Sequence, residues 1–256
     1  MIISILNNKG GVGKTTMTIH LGAYLATEGY KVLLIDFDPQ CNLSYRTNAT
    51  NNTYSVENLL NKDFEGISFS KNKDMNLFIL SGSENLNIFP FSTGKELKDN
   101  LDVLRSKYDF ILIDCQPSLL YEDKLTANEI AVNASDSVLV PVLADISSME
   151  GLRRLLRSFN RIKQSTNTHL DILGIVFSCV FEKEQLFRSF YKELKAQAGG
   201  LIFNSYIRKN TSIQQAEAHQ STIFAYEPTS NGADDYRKLG CELLKKINKQ
   251  ENGKKE

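Results

Sequence analysis

The sequence of 256 residues has no tryptophan, and it has only three histidines and four cysteines. The cysteines lie far apart and share no metal-ligand spacing, so we expect neither a zinc site nor a disulfide framework. Thirty basic and thirty acidic residues cancel. Any binding to nucleic acid must therefore come from a local patch rather than from the overall charge.

Long apolar runs are also missing. No stretch reaches the roughly 18 apolar residues that a membrane span needs. A strand-like run, Ile2–Leu6, starts at once and leaves no room for a signal peptide. We therefore expect a cytoplasmic protein with reduced thiols and without a membrane partner.

One glycine-rich segment, residues 7–16, lies between that run and a segment, residues 17–27, whose apolar residues recur at helical spacing. Glycines let the backbone approach a phosphate, and a helix N-terminus adds partial positive charge. Lys14 supplies a full charge and Thr15 a hydroxyl for Mg²⁺. A flexible turn with solvated lysines is the alternative. The order of strand, loop and helix favours a phosphate site.

The loop departs from the ordinary P-loop pattern, which has a glycine where this chain has Asn8. It carries a second lysine, Lys9, and it resembles the deviant Walker A loop of the ParA/MinD superfamily. The resemblance implies that Lys9 reaches across a dimer interface to the partner's nucleotide, while Lys14 serves its own. The nucleotide-binding residues implied for the loop are Lys9, Gly10, Gly11, Val12, Gly13, Lys14, Thr15 and Thr16.

Two carboxylates, Asp36 and Asp38, follow a nearly continuous apolar run, residues 31–36, as expected for a strand covered on both faces. They lie near the P-loop if the two strands are neighbours. A structural turn at Asp38–Pro39 is the alternative to a catalytic role. By resemblance, Asp38 orients or activates the attacking water and helps to hold the metal, and Asp36 supports nucleotide binding. Cys41 stands where the family usually has glycine.

A second apolar run, residues 108–114, ends in Asp114, which is the Walker B pattern. This pattern predicts that Asp114 acts on the magnesium shell through a bound water. Cys115 could be a nucleophile, but no histidine is placed to serve it. With the roles that the resemblance implies, the predicted catalytic residues are Lys9, Lys14 and Asp38, and the predicted metal site consists of Thr15, Asp38 and Asp114.

Alternating strands and helices predict one doubly wound α/β domain, residues 1–256, with a mostly parallel sheet flanked by helices. Residues 250–256 are expected to form a flexible tail. Further strands are predicted at 77–80, 137–142, 170–180 and 201–203, and helices at 55–60, 95–107, 147–164, 183–197 and 234–249. Near the C-terminus, the loop 205–210 resembles the family's base-contacting loop at Asn210 alone, while Arg208 replaces a proline. Adenine is favoured by resemblance.

The resemblance implies an ATP-dependent, dimerising ATPase that uses ATP and Mg²⁺ in plasmid or chromosome partition. It further implies that the ATP-bound homodimer binds non-specific DNA, which would place it on the nucleoid, and that a centromere-binding, ParB-like protein stimulates hydrolysis. One alternative is a related ATPase that positions a protein assembly. A MinD-like membrane cycle would need an amphipathic C-terminal helix, whereas residues 245–256 offer only Ile247. A relative of the nitrogenase iron protein would need paired cluster cysteines, and Cys115 and Cys179 do not match that pattern.

Overall fold

The computed structural model describes residues 1–50, 54–64, 69–71, 76–121 and 124–253. Within these ranges the chain forms a sheet with strand order β3-β4-β2-β5-β1-β6-β7. All neighbouring pairs are parallel except β3 with β4, which confirms the predicted mostly parallel sheet. The strands are β1 (Ile2–Ile5), β2 (Val32–Phe37), β3 (Ser70–Lys71), β4 (Leu77–Leu80), β5 (Phe110–Cys115), β6 (Ser137–Val142) and β7 (Asp171–Phe177).

Helices cover both faces of this sheet. Those of the described residues are α1 (Lys14–Thr27), α2 (Asn42–Arg46), α3 (Val56–Leu60), α4 (Glu96–Arg105), α5 (Ala127–Ala134), α6 (Ile146–Ser165), α7 (Gln185–Ala198), α8 (Thr211–Ala218), α9 (Ile223–Tyr226) and α10 (Asn231–Gly253). Short 3₁₀ turns lie at Glu84–Ile88 and Gly199–Leu201. The sequence did not predict α2, α5, α8 or α9, which are short and lack a clear apolar period.

Two apolar layers lie on the two faces of the sheet. One contains α3 to α7, and the other contains α1, α2 and α8 to α10. The central strands contribute side chains to both layers. Ile111 and Ile113 of β5 pack in the first layer, and Phe110 and Leu112 pack in the second. This double burial explains why the strands are continuously apolar. None of the helices in the described ranges has both the length and the apolar character needed to cross a membrane.

Three features of the structure differ from, or limit, what the sequence indicated. First, the condition that β1 and β2 are neighbours is not met, because β5 pairs with both of them. Second, the strand predicted at 201–203 is wrong: Gly199–Leu201 forms a 3₁₀ turn, and a single bridge links Ile202 to Ile175. Gly199, with φ of 22°, redirects the chain there. Third, α10 continues through Gly253, and the tail residues 254–256 lie outside the described ranges.

The inserted strand β5 brings the carboxylates together. Asp36 and Asp114 are register partners on the neighbouring strands β2 and β5. Because parallel strands end at the same edge of the sheet, the loops after β1, β2, β5 and β7 meet there. The predicted site therefore assembles at this edge even though β1 and β2 are not adjacent.

Candidate nucleotide-binding site

The loop between β1 and α1 has the backbone geometry of a phosphate cradle. Gly11 and Gly13 have φ of 73° and 82°, in the left-handed region that favours glycine. The carbonyl of Gly13 accepts from the N–H of Met17 at 2.8 Å, so α1 begins directly at the loop. Ser178 Oγ, beyond β7, donates to the carbonyl of Val12 at 2.6 Å. The Val12 side chain itself is buried in the core.

A cavity of about 430 Å³ opens above this loop, a size typical of small-molecule sites. Its walls come from the P-loop, from the segment after β2 and from the chain between β7 and α10. The lining residues are Gly10, Gly11, Gly13, Lys14, Thr15, Thr16, Asp38, Asn42, Arg46, Pro117, Ser178, Cys179, Ile207, Arg208, Lys209, Asn210, Ile213, Gln214, Glu217 and Tyr236.

Lys14 lies buried at the floor of the cavity, and its Nζ donates to the carbonyl of Lys9 at 3.2 Å. Burial lowers the pKa of Lys14, and the nearby carboxylates Asp114 and Asp38 offset part of that effect. A buried ammonium of this kind is stabilised by an anion in the cavity. The position therefore suits the predicted contact with a phosphate.

Thr15 and Asp114 are in direct contact, since Thr15 Oγ1 donates to Asp114 Oδ2 at 2.7 Å. Asp114 is fully buried, and burial followed by repulsion from Asp36 raises its pKa well above the usual range. Its Oδ1 has no hydrogen-bond partner among the described residues. A hard cation with oxygen ligands fits these groups. Over the described ranges no cluster of three or more His, Cys, Asp or Glu residues could hold a metal by itself, so Mg²⁺ would also need phosphate and water oxygens.

Asp36 lies behind the cavity. Its Oδ2 accepts from the N–H of Ser44 at 2.8 Å and from the Ser44 hydroxyl at 2.6 Å. Burial raises the pKa of Asp36 to about 6, although the bonds from Ser44 act in the opposite direction. Asp36 thus anchors α2 to the sheet. A direct nucleotide contact by Asp36 stays a prediction.

Asp38 lines the cavity and also forms the turn considered from the sequence. Its Oδ1 accepts from the N–H of Gln40 at 2.9 Å. One carboxylate oxygen therefore fixes the turn, and the same side chain remains at the cavity wall. Cys41 follows with φ of 52°, so it adopts the left-handed conformation in which the family usually has glycine. That conformation costs about 1 kcal/mol for a residue with a Cβ atom.

Lys9 is directed away from the cavity and is not among its described lining residues. Its Nζ donates to Asp145 Oδ2 and to Ser147 Oγ, both at 2.7 Å, and to Ser148 Oγ at 3.4 Å. These acceptors lie at the N-terminus of α6, where Asp145 also caps the helix through the N–H of Ser148. Burial opposes ionisation of Asp145, but the bonds from Lys9, Ser147 and Ser148 prevail and lower its pKa to about 2.

The family model for the AAA domain matches residues 1–172. Over 245 residues the chain is 35% identical to the chromosome-partitioning ATPase Soj of Treponema pallidum, covering 93% of this chain and 95% of that protein. The chain belongs to the ParA/Soj family of partition ATPases. It is also 32% identical over 256 residues to the chromosome partitioning protein ParA of Caulobacter vibrioides, covering 95% of this chain and 93% of that protein.

The fold of this ParA/Soj-family ATPase is similar to that of the septum site-determining protein MinD of Pyrococcus horikoshii, solved as a complex with Mg-ADP. The TM-score is 0.76 at 24% identity, over 94% of this chain and 95% of that one. At this level of identity the likeness supports the fold. It confirms the α/β P-loop architecture that the deviant loop indicated.

The far wall of the cavity contains residues that sequence reasoning only partly identified. Asn210 is the N-cap of α8, and its Oδ1 accepts from the N–H of Ser212 at 2.8 Å. Arg208, at the family's proline position, donates through Nη2 to Asp235 Oδ1 at 2.6 Å, which ties this loop to α10. Both residues line the cavity. The contact of Asn210 with a base stays a prediction.

Sequence reasoning missed Arg46, Glu217, Ser178 and Tyr236 as cavity residues. Ser178 follows a predicted strand, so its place at the carboxyl edge of the sheet could have been found. Arg46 and Glu217 lie on the short helices α2 and α8, which the sequence did not predict. No motif marks Arg46.

Proposed function

We propose that this partition ATPase is switched by ATP between a monomer and a homodimer, and that the unit is the single domain predicted over residues 1–256. The observation that carries this proposal is the position of Lys9. The P-loop directs Lys14 into its own cavity, but Lys9 leaves the loop on the other side and bonds to the N-terminus of α6. A partly exposed cation outside its own site can exchange this ion pair with Asp145 for a nucleotide in a second copy.

The hydrolytic step would be an in-line attack of water on the γ-phosphate of ATP, which breaks the bond to the bridging oxygen and releases ADP and phosphate. Lys14 and the loop N–H groups would stabilise the phosphate charge. Asp38 would orient the water and accept its hydrogen bond. Thr15, Asp114 and Asp38 would hold Mg²⁺, which supplies charge neutralisation when it is bound. Lys9 from the partner would complete the site.

Partition would require two further interactions, which are proposed here from membership of the ParA/Soj family. The ATP-bound dimer would bind non-specific DNA, and a centromere-binding, ParB-like protein would stimulate hydrolysis and release. The relatives are named for chromosome partitioning, which supports a place in the cytoplasm on the nucleoid. A membrane cycle is less well supported, because Ile247 on α10 packs into the core and is only 5% exposed.

Light scattering with ATP, ADP or no nucleotide tests the switch on wild type, Lys9→Ala and Asp38→Ala. We expect ATP alone to drive dimerisation of the wild type, Lys9→Ala to abolish it, and Asp38→Ala to trap the dimer by blocking hydrolysis. Lys107→Ala, at an exposed lysine distant in sequence from the loop, is the matched control. An oligomeric state that ignores ATP in every variant would overturn the proposal.

DNA binding needs a separate test on the trapped Asp38→Ala dimer. Its affinity for random-sequence duplex DNA should fall linearly with salt on a log–log scale, because phosphate contacts release counterions. A slope near zero would contradict DNA binding through phosphates and leave the ATP switch standing.

A further inference from the structure

Arg46 lies between the P-loop and the far wall of the cavity. It is the last residue of α2, and its Nη1 donates to Thr16 Oγ1 at 3.2 Å and to Glu217 Oε2 at 2.8 Å. The other guanidinium nitrogens, Nη2 and Nε, have no hydrogen-bond partner among the described residues. The guanidinium is thus held along one edge, and it keeps donors for a ligand on the other.

Glu217 lies against the protein interior. Its side chain is 12% exposed, and its Oε1 lies 3.8 Å from Nε2 of the fully buried His20. His20 Nδ1 accepts from the N–H of Ile223 at 3.2 Å. Burial, followed by the charge of Arg46, lowers the pKa of His20 to about 3. The imidazole is therefore neutral and carries its proton on Nε2, which faces the carboxylate of Glu217.

The other cationic side chains that line the cavity make different contacts from those of Arg46. Arg208 commits both Nε and Nη2 to the carboxylate of Asp235. Lys209 places its Nζ over the ring of Phe181, 5.0 Å from the centroid. Lys14 lies under the loop. Among the described lining residues, Arg46 is the cation that both touches the P-loop and keeps unengaged guanidinium donors.

The contact with Thr16 locates Arg46 along a bound nucleotide. Lys14 of a P-loop approaches the β- and γ-phosphates, and the hydroxyl of the next residue approaches the metal. Thr15 bonds to Asp114 on the metal side, whereas Thr16 bonds to Arg46 on the side of α8. Arg46 therefore lies toward the end of the phosphate chain that leads to the ribose and base.

We infer that Arg46 binds the α-phosphate of the nucleotide from within the same chain, and that Glu217 is the residue that positions it. A guanidinium suits this contact because its planar fork matches phosphate oxygens in pairs. ADP and ATP share the α-phosphate, so Arg46 stabilises both complexes equally. This inference rests on the proposed binding of ATP in the cavity, and it adds the residue that retains the nucleotide before and after hydrolysis.

Calorimetric titration of the full chain with ADP and with ATP, in the presence of Mg²⁺, tests the inference. Arg46→Gln should weaken both affinities by about tenfold, the loss of one charged contact. Arg46→Lys should recover part of that loss. Arg153→Gln makes the same change at an exposed site on α6 that does not line the cavity, and it should bind like the wild type.

A structural role for Arg46, as a brace between α2 and α8, gives a different pattern. A brace would affect adenosine, which has no phosphate, as strongly as ADP. Displacement of a fluorescent ADP analogue measures both ligands, and Arg46→Gln should weaken displacement by ADP but not by adenosine. Equal losses for the two ligands, or an unchanged affinity for ADP, would overturn the inference.

Glu217→Gln completes the test, because it keeps the charge of Arg46 and loosens its position. We expect a loss of about threefold for ADP, smaller than that of Arg46→Gln. A larger loss than that of Arg46→Gln would assign the contact to the carboxylate and overturn the inference. If Lys14→Ala abolishes ADP binding and Arg46→Gln leaves it unchanged, the role of Arg46 is contradicted and the proposed nucleotide site still stands. If the wild type binds neither ADP nor ATP, the proposed function fails with it.

Discussion

The two sides of the cavity are built in different ways. The phosphate side consists of a short glycine-rich loop, with Thr15 against Asp114 and Lys14 beneath the loop. The opposite side, toward the α-phosphate, the ribose and the base and called the base side below, depends on charged pairs between distant segments, such as Arg46 with Glu217, which are 171 positions apart in the chain. The comparison indicates that the loop around the β- and γ-phosphates is encoded locally, whereas the fit around the rest of a nucleotide depends on how separate elements pack.

The largest effect should follow removal of the phosphate lysine. Lys14→Ala should weaken ADP binding by at least about 100-fold, since a buried cation under the loop loses its contact with the phosphates. Lys209→Ala, on the base side, should cost less than about threefold, because that ammonium packs over Phe181. Titration with ADP measures both. Equal losses of ADP affinity in the two variants would contradict the distinction between the two sides.

Acid should destabilise the base side through His20. Its pKa is about 3 in the folded chain, compared with the ordinary value of 6.5. The unfolded chain therefore binds more protons between these values, and the stabilising effect of neutral His20 is complete above pH 6.5 and lost as the pH falls toward 3. At pH 5 the loss is about 2 kcal/mol.

Urea unfolding of the wild type and His20→Asn at pH 7 and pH 5 measures this effect. The wild type should lose more stability than His20→Asn on going to pH 5. His169→Asn, at an exposed histidine, should retain the full pH dependence of the wild type. If His20→Asn loses as much stability as the wild type, the buried imidazole is not the source of the acid sensitivity.

The ion pair between Arg208 and Asp235 should contribute more to the stability of the fold than the adjacent carboxylate, Asp234, does. Asp235→Asn leaves a partly buried guanidinium without its charged partner, with an expected loss of about 1.5 kcal/mol, since the Arg208 side chain is 25% exposed. Asp234→Asn changes an adjacent carboxylate that is 47% exposed and should cost less than about 0.5 kcal/mol. Thermal and urea unfolding compare them, and equal losses would mean that the base-side pair adds nothing specific.

The smallest effect concerns the backbone of the phosphate side. Gly13→Ala should reduce the free energy of unfolding by about 1 kcal/mol, because φ of 82° is strained for alanine. Gly10→Ala is the matched control, since the φ of Gly10 lies outside the left-handed region and a Cβ atom there would have no described atom within 4 Å. Unfolding without nucleotide measures the difference. Two equally stable variants would show that the loop can relax without cost.

Sequence-based prediction was most accurate for elements that carry a motif or a continuous apolar run. Strands β4 and β6 were predicted to the residue, and Thr15 and Asp114 meet as the two motifs imply. It left the adjacency of β1 and β2 open, and it was wrong about a strand at 201–203. Strand order depends on crossover helices, and a three-residue apolar run cannot by itself distinguish a strand from a turn.

The sequence by itself determined the phosphate loop, the carboxylates that end β2 and β5, and the alternating elements that require a doubly wound sheet. These features follow from local backbone freedom and from apolar periods that a single segment carries. Only the tertiary structure decided that β5 lies between β1 and β2, that Lys9 bonds to Asp145 outside its own cavity, and that Arg46 meets Thr16 and Glu217. Such side-chain pairs join residues far apart in the chain, so their geometry exists only after the layers have packed.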